Sequence, residues 1–579
     1  MWNSLLNGLT ALGATQAVLM VLVGTLLGTV VGAIPGLGGA VLLTLLLPFI
    51  YNMPVVPALA LLLAAHTGIY FSGSITAILF NTPGAPESAA TTFDGYPMTK
   101  KGQPARALGI SATATTIGGW VGVILLAALI PFMNQLTKLF HPSEFLALAI
   151  LAIVLIGQMR ARSVTKGLIS GAFGLMIAFV GYDPITGVQR FTGGILSLYN
   201  GFDITAVALG LFAFGEMFRL YALRSSRAGN ATRIKLGGAQ PGARIRDGVR
   251  DVASHKWLTL RSSVLGTVLG IIPGVGGVAA NFISYGQASR GSKHPERFGT
   301  GTPEGIIAPE ASSISKEAGN LLPTVALGVP GGVGMAVLMS GFTILGLVPG
   351  PSMIEKHQST VWAMAFVIAF ASLLASLMGL GMVPGLVRLA NVPSRILVPF
   401  VLALGFLGVY AASSEISQTV AVFAFGVAGW AMVRYGYSVP AAMIGFLLGK
   451  VVENNLYLVR NLQGWASLER PLTALMVVII ILSLFSPLLR KYGIAGKLAR
   501  LLGRSAAPAA GPAAANEAHA VAATDATQSA HLITADRTPP RVQEPAVDRT
   551  SGHGPGDGVA QPEQEPHAAT PTLTKGARR

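Results

Sequence analysis

Runs of apolar residues long enough to cross or enter a bilayer, about 20 residues each, recur along the chain with only short polar intervals. One set lies near 16–51, 56–80, 105–132, 143–160, 165–182 and 203–223. A second covers 261–289, 320–349, 359–386, 394–412, 416–434, 439–456 and 472–490. Each run reads as helix, so the pattern predicts an all-α polytopic membrane protein with about 11–13 membrane segments. Ahead of the first run, Met1 to Gln16 lacks a basic start and reads as an interfacial segment leading into the first membrane helix, not as a cleavable signal. After Arg504 the chain becomes rich in Ala, Pro, Gln, Asp and Glu with no apolar period, and 505–579 is expected to be disordered.

The two sets are related. Gly28-Thr29-Val30-Val31-Gly32-Ala33-Ile34-Pro35-Gly36-Leu37-Gly38-Gly39 matches the twelve residues from Gly266 to Gly277 at nine positions without a gap. Leu79 to Gly84 corresponds to Ala326 to Gly331, and Gly181-Tyr182 to Gly436-Tyr437. The expected organisation is a first membrane repeat over 1–223, a basic cytoplasmic loop over 224–260, a second repeat with a terminal helix over 261–490, and a basic, then disordered, cytoplasmic tail over 491–579.

Loop charge orients the halves. Lys100, Lys101 and Arg106, then Arg160, Arg162 and Lys166, then the ten Lys and Arg between Arg219 and Arg261, are separated by pairs of spans and share one face. The positive-inside rule makes that face cytoplasmic. An inverted second half places eight basic residues inside (Arg388, Arg395, Arg434, Arg490, Lys491, Lys497, Arg500 and Arg504), whereas a parallel one places Lys356, Arg460 and Arg470 there. Inverted-topology repeats are therefore expected, with broken or re-entrant helices.

Composition changes the picture little. Of 579 residues 11% are charged and 52% hydrophobic, against about 25% charged in soluble domains, which excludes an ordinary soluble enzyme. The net charge of +16 sits in loops and comes with no recognition motif, so no nucleic-acid partner is expected. With 71 Gly and 35 Pro, many inside apolar runs, helices are expected to break, and the absence of Cys removes thiolate metal sites and disulfides. No phosphate-binding loop, zinc-protease or nucleophile-elbow motif is present, so no catalytic residue, metal or cofactor is expected.

The breaks carry the candidate chemistry. Pro-Gly-x-Gly-Gly lowers helix propensity and removes a donor, and a break at membrane depth is tolerated where protein or a watery cavity surrounds it. The exposed N–H groups of a half-helix start bind anions. Candidate substrate contacts are Pro35, Gly36, Asn81, Thr82, Pro83, Gly84, Pro273, Gly274, Ser312, Ser313, Pro330 and Gly331; candidate coupling-ion contacts are Gly38, Gly39, Gly276, Gly277 and Glu310. The alternative for the breaks is close helix packing through small residues. The segment Glu304 to Glu317 is either a solvated surface helix or part of a transport path, in which Lys316 neutralises Glu310 or Glu317 or meets an anionic substrate. His66 reads as a hydrogen-bonded structural residue rather than a proton carrier.

Several of these motifs together resemble a known family, the large membrane subunit of the tripartite tricarboxylate transporters (TctA family). The likeness rests on GAIPGLGG (32–39), GSITAILFNTPG (73–84), DGYPMTKKGQ (94–103), GYDPITGVQRFTGG (181–194), GIIPGVGG (270–277), SKHPERFG (292–299), EGIIAPEAS (304–312), GVPGG (328–332) and LVPGP (347–351). The resemblance implies a multi-pass secondary transporter of the bacterial inner membrane that imports carboxylates. It further implies a TctC-like periplasmic substrate-binding protein, a small TctB-like membrane subunit, and a gradient of Na+ or H+ as the drive. Where the family usually reads Glu-Ala-Ala-Asn-Asn-Ala, this chain has Glu310-Ala311-Ser312-Ser313-Ile314-Ser315, and Gly332-Val333-Gly334-Met335 stands where small hydroxyl residues are common. Loss of both amides points to a less polar site and a different or bulkier carboxylate. The alternatives are a passive anion channel built from the same broken helices and a transporter of a non-tricarboxylate organic acid.

Overall fold

The computed structural model describes residues 2–34, 37–137, 140–160, 163–183, 185–222, 241–273, 278–389, 392, 394–464 and 470–491. Eight helices in it are long and apolar enough to cross a membrane, and five shorter apolar helices accompany them. The protein is an all-α, multi-pass membrane protein. The basic stretch 223–240 and the tail from 492 onward lie outside the described residues.

The first half opens with α1 (Trp2–Gly13), then α2 (Thr15–Gly32), α3 (Gly39–Leu46) and α4 (Val55–Phe80). Helix α2 ends at Gly32, just ahead of the Pro35-Gly36 pair, where helix propensity is low. Gly24, Gly28 and Gly32 lie one turn apart and abut Leu61, Ala65 and Ile69 of α4 in turn, so the two helices run the same way. A Cβ at Gly28 would lie 3.0 Å from the Gly68 Cα, a backbone approach that only small residues permit. Helix α3 carries the chain back between them.

Helices α5 (Thr92–Lys100), α6 (Pro104–Thr137), α7 (Pro142–Arg160) and α8 (Val164–Ala178) follow. A two-stranded antiparallel hairpin, β1 (Gly181–Tyr182) with β2 (Gln189–Arg190), leads into α9 (Ile204–Ala208), a π-wound stretch Leu209–Phe214 and α10 (Gly215–Ala222). The segment expected to be a basic loop contains α11 (Pro241–Ser254). Gly248 seats α11 on α6 at Arg106 and Ile110, and the Arg106 guanidinium clamps Asp251 through bonds of 2.6 and 2.8 Å.

The second half repeats the opening motif with α12 (Lys256–Ile271), α13 (Val278–Gly291) and α14 (Glu304–Leu327). Gly266 and Gly270 abut Ser312 and Lys316 of α14, as Gly28 and Gly32 abut Ala65 and Ile69 of α4. Both long helices end on a left-handed residue, Asn81 (φ 56°) and Gly328 (φ 67°), positions that Asn and Gly adopt at low cost. Gly84 then folds back on Gly73, and Gly331 on Asn320. The remaining helices are α15 (Val333–Ile344), α16 (Pro351–Lys356), α17 (Gln358–Leu389), α18 (Ser394–Ser413), α19 (Ile416–Tyr435), α20 (Val439–Leu458) and α21 (Pro471–Lys491).

The halves interlock: Gly174 of α8 and Gly445 of α20 each meet the other's helix backbone, while Gly429 of α19 meets Leu211 and Gly210 meets Phe425. One expectation needs correction. The span near 320–349 begins inside a helix that starts at Glu304, because the polar run from Glu310 to Glu317 hides it from hydropathy. That run is no solvated surface either, since every residue from Gly305 to Ala326 is buried.

Candidate functional site

Helices α4 and α14 carry the polar groups at the centre of the molecule. His66, Tyr70 and Ser74 are spaced four residues apart, so they share one face of α4. Glu310 and Glu317, two turns apart, share one face of α14. His66 and Tyr70 reach Glu317 whereas Ser74 reaches Glu310, so the two helices pass each other in opposite directions.

At one end, Glu317 gathers three partners. Lys316 Nζ lies 2.7 Å from Oε1, Tyr70 donates its hydroxyl to Oε1 at 2.6 Å, and His66 Nε2 stands 3.3 Å from Oε2. The Lys316 side chain is wholly buried and its ammonium sits 4.7 Å from the Tyr70 ring centroid. Ammonium and carboxylate cancel, which is what lets two charges stay in so dry a place. The second imidazole nitrogen, Nδ1, is buried without a hydrogen-bond partner.

The His66 ring is held between two helix starts. A Cβ on Gly39, the first residue of α3, would lie 2.8 Å from Nδ1, and one on Gly334, in the first turn of α15, would lie 3.1 Å from Nδ1 and closer still to Cε1 and Nε2. A side chain at either position crowds the ring, and most severely at Gly334. Neither helix start has a side-chain cap: Gly38 and Gly332 occupy the cap positions. The leading N–H groups therefore keep the partial positive charge that favours an anion. Beside the second start, Asn320 packs on Gly331 and Gly332, with its Oδ1 buried and unpartnered.

At the other end, the Glu310 carboxylate takes four hydroxyls and is 2% exposed. Ser74 (2.7 Å) and Thr91 donate to Oε1, and Ser111 (2.9 Å) and Thr115 (2.7 Å) donate to Oε2. The donors come from α4, the turn before α5, and α6, so Glu310 ties α14 to three segments of the first half. Nearby, Asp94 accepts from the Tyr285 hydroxyl and from the backbone of Gly299, Gly301 and Thr302.

The sequence-derived residues fall around this centre unequally. Gly39 and Glu310 belong to it, and Gly38 caps α3. Pro330 and Gly331 are buried beside Asn320, and Gly84 is buried on Gly73. Ser312 is buried and bonds the Pro309 carbonyl at 2.9 Å, and Ser313 is buried next to it. Asn81 and Thr82 are exposed, with Pro83 half-buried, and Pro273 is a half-buried turn residue. Pro35, Gly36, Gly274, Gly276 and Gly277 lie outside the described residues. Sequence reasoning missed Tyr70, Ser74, Thr91, Ser111, Thr115 and Asn320, and read His66 as structural. The available signal was polar residues at four-residue spacing within apolar runs, His66-Tyr70-Ser74 and Ser111-Thr115.

A family model described as "Tripartite tricarboxylate transporter TctA family" matches residues 18–444, a span that contains every residue of this centre. The chain belongs to the TctA family. Among curated proteins, this TctA member is 32% identical over 434 residues to an uncharacterized 52.8 kDa protein in the TAR-I ttuC' 3' region of Agrobacterium vitis, covering 75% of this chain and 85% of that protein. It is also 29% identical over 191 residues to an uncharacterized protein in the TAR-II ttuC' 3' region of the same organism, covering 33% of this chain and 79% of that protein. No solved structure matches the TctA chain.

Proposed function

We propose that this TctA protein is the large permease subunit of a binding-protein-dependent transporter that imports carboxylates across a bacterial inner membrane, driven by a cation gradient. One observation carries the reading. Two uncapped half-helix starts, α3 from the first half and α15 from the second, converge on the buried His66, whose Nδ1 has no partner. Convergent backbone N–H groups of broken helices suit the carboxylate of a substrate; this chain carries no nucleotide-binding motif, so its energy comes from an ion gradient or from another subunit, and the gradient is the reading proposed.

In this conformation both helix starts press on the imidazole, so a ligand enters when α3 or α15 withdraws. Alternating withdrawal fits two halves of opposite orientation. Support comes from the opposite courses of the equivalent helices α4 and α14. The delivery protein and the small membrane subunit are proposed partners on the strength of the family.

The test is uptake of labelled citrate, succinate and benzoate into vesicles holding the chain, its small partner and a candidate binding protein. Saturable accumulation against a gradient, reduced at least tenfold by Gly334→Leu, is the expected result. Non-saturating leak with no accumulation would refute it in favour of a channel.

A further inference from the structure

We propose that His66 is the proton carrier of this transporter, and that the imported carboxylate docks on its Nδ1 at the start of α3, so that one proton enters with each carboxylate. The proposal rests on the permease reading above and names its coupling ion.

The two imidazole nitrogens have different surroundings. Nε2 faces Glu317 Oε2 at 3.3 Å and the Tyr70 hydroxyl at 3.2 Å. In neutral His66 the proton sits on Nε2 and donates to that carboxylate, which leaves Nδ1 a bare lone pair. Nδ1 is buried, meets no hydrogen-bond partner, and is aimed at the first turn of α3. A carboxylate brought to the α3 start would therefore meet a lone pair and be repelled. Adding a proton at Nδ1 turns the same nitrogen into a donor pointing at the carboxylate oxygen. Binding and protonation then require each other.

Charge around the ring enforces the same linkage. The titratable groups facing His66 are Tyr70 on its own helix and Lys316 and Glu317 on α14. Helices α2, α3 and α15 carry no titratable residue. Lys316 and Glu317 neutralise each other, so a proton on Nδ1 leaves one uncompensated positive charge in a dry interior, a costly state unless an anion accompanies it. A bound carboxylate supplies that anion. The proton arrives from the side from which the substrate enters, stays on Nδ1 while the carboxylate is bound, and leaves on the other side when the carboxylate does. Glu310 does not compete for this role, because both its oxygens are already saturated by four hydroxyl donors.

The experiment uses proteoliposomes holding the full chain with its small membrane subunit and binding protein, a pH dye inside, and labelled citrate, succinate and benzoate as probes. An acid-outside pH gradient without sodium is expected to drive accumulation of at least one acid, with the lumen acidifying only when that acid is present. Apparent KM is expected to rise as external pH rises, because carboxylate binding takes up a proton. In His66→Gln, uptake weakens and what remains is flat with pH. Carboxylate accumulation driven only by a sodium gradient, with no proton influx in wild type, overturns the proposal and leaves the permease reading intact. So does a His66→Gln variant that keeps the wild-type pH slope. The wild-type dye signal decides the matter even if that variant fails to fold. Failure of all three acids to move under either gradient overturns the permease reading itself.

Discussion

Replacing Gly334 by Ala tests whether the α15 start and the His66 ring share one space. The added Cβ would stand 3.1 Å from Nδ1 and nearer to Cε1 and Nε2, while the same change at Gly39 places a Cβ 2.8 Å from Nδ1 and 3.0 Å from Cε1. Ordinary carbon contacts lie at about 3.5–4.0 Å, so Gly39→Ala is relieved by a shift of about 1 Å, whereas Gly334→Ala forces the ring out of its plane with Glu317. Overpacking of this kind costs about 1–3 kcal/mol, and losing the imidazole bonds to Glu317 and Tyr70 adds about 1–3 kcal/mol. The expected order is therefore wild type, then Gly39→Ala, then Gly334→Ala, in thermal unfolding of the detergent-solubilised protein. Removing the ring with His66→Ala opens the space, so the double variant Gly334→Ala/His66→Ala is expected to lose less than the sum of the two singles, by at least about 1 kcal/mol. Additivity within about 0.5 kcal/mol would mean that the two residues do not meet.

Three further expectations are independent of that one. Glu310→Gln replaces two acceptors of two hydroxyls each with one amide oxygen and one NH2, so two hydroxyls lose their acceptor and stability falls by about 1–3 kcal/mol; an unchanged unfolding midpoint would show that the carboxyl is already neutral. Asp94→Asn weakens the bonds that hold Gly299, Gly301 and Thr302, so limited trypsin treatment is expected to cut faster after Lys293 or Arg297, and an unchanged cleavage rate would refute the role. At the start of α12, His255 lies 3.4 Å from Glu304; the carboxylate raises the imidazole pKa, and the imidazole holds Glu304 down at about 2. A raised His pKa stabilises below its unfolded value near 6.5 and is lost as pH rises through the folded value, while a lowered Glu pKa stabilises above about 4.3 and is lost as pH falls toward 2. The pair is partly exposed, so its worth is under about 1 kcal/mol, and the midpoint difference between wild type and His255→Ala is expected to be largest near pH 5–6 and to shrink toward pH 9; a constant difference refutes the pairing.

The architecture was legible because its signals are local. The repeated Pro-Gly motifs mark where α2 and α4 stop, and Asn81 and Gly328 mark left-handed ends that their residue types predict. The start of α14 was not legible, since hydropathy penalises Glu310, Lys316 and Glu317 whether or not their charges are compensated. Compensation here comes from afar: the His66–Glu317 contact joins residues 251 positions apart, and no window along the chain sees it. Glu310 stood out in sequence as a candidate coupling-ion contact, but its four hydroxyl partners come from three other segments. The surroundings of His66 were hidden for a related reason. Its apolar neighbours in sequence are its helix-mates, whereas its working neighbours are two glycines whose lack of a side chain is what admits it.

Parting α14 from α4 and moving α3 or α15 off His66 differ in what they break. Glu310 is bonded on every side, so separating α14 from α4, α5 and α6 there would strand four hydroxyls and a carboxylate in a dry interior, each unsatisfied group costing about 1–3 kcal/mol. At the His66 end, no hydrogen bond ties the imidazole to α3 or α15: Nδ1 is already unpartnered, and Gly39 and Gly334 only touch the ring. Withdrawing either half-helix from His66 breaks van der Waals contacts and exposes backbone N–H groups that water or an anion satisfies at once. Movement of α3 or α15 off the imidazole therefore leaves the α4–α14 seam bonded both at Glu310 and at Glu317. The charged pair Lys316–Glu317 is bonded to Tyr70 and His66 of α4 and makes no hydrogen bond to α3 or α15, so on the proposed mechanism either half-helix moves without disturbing it.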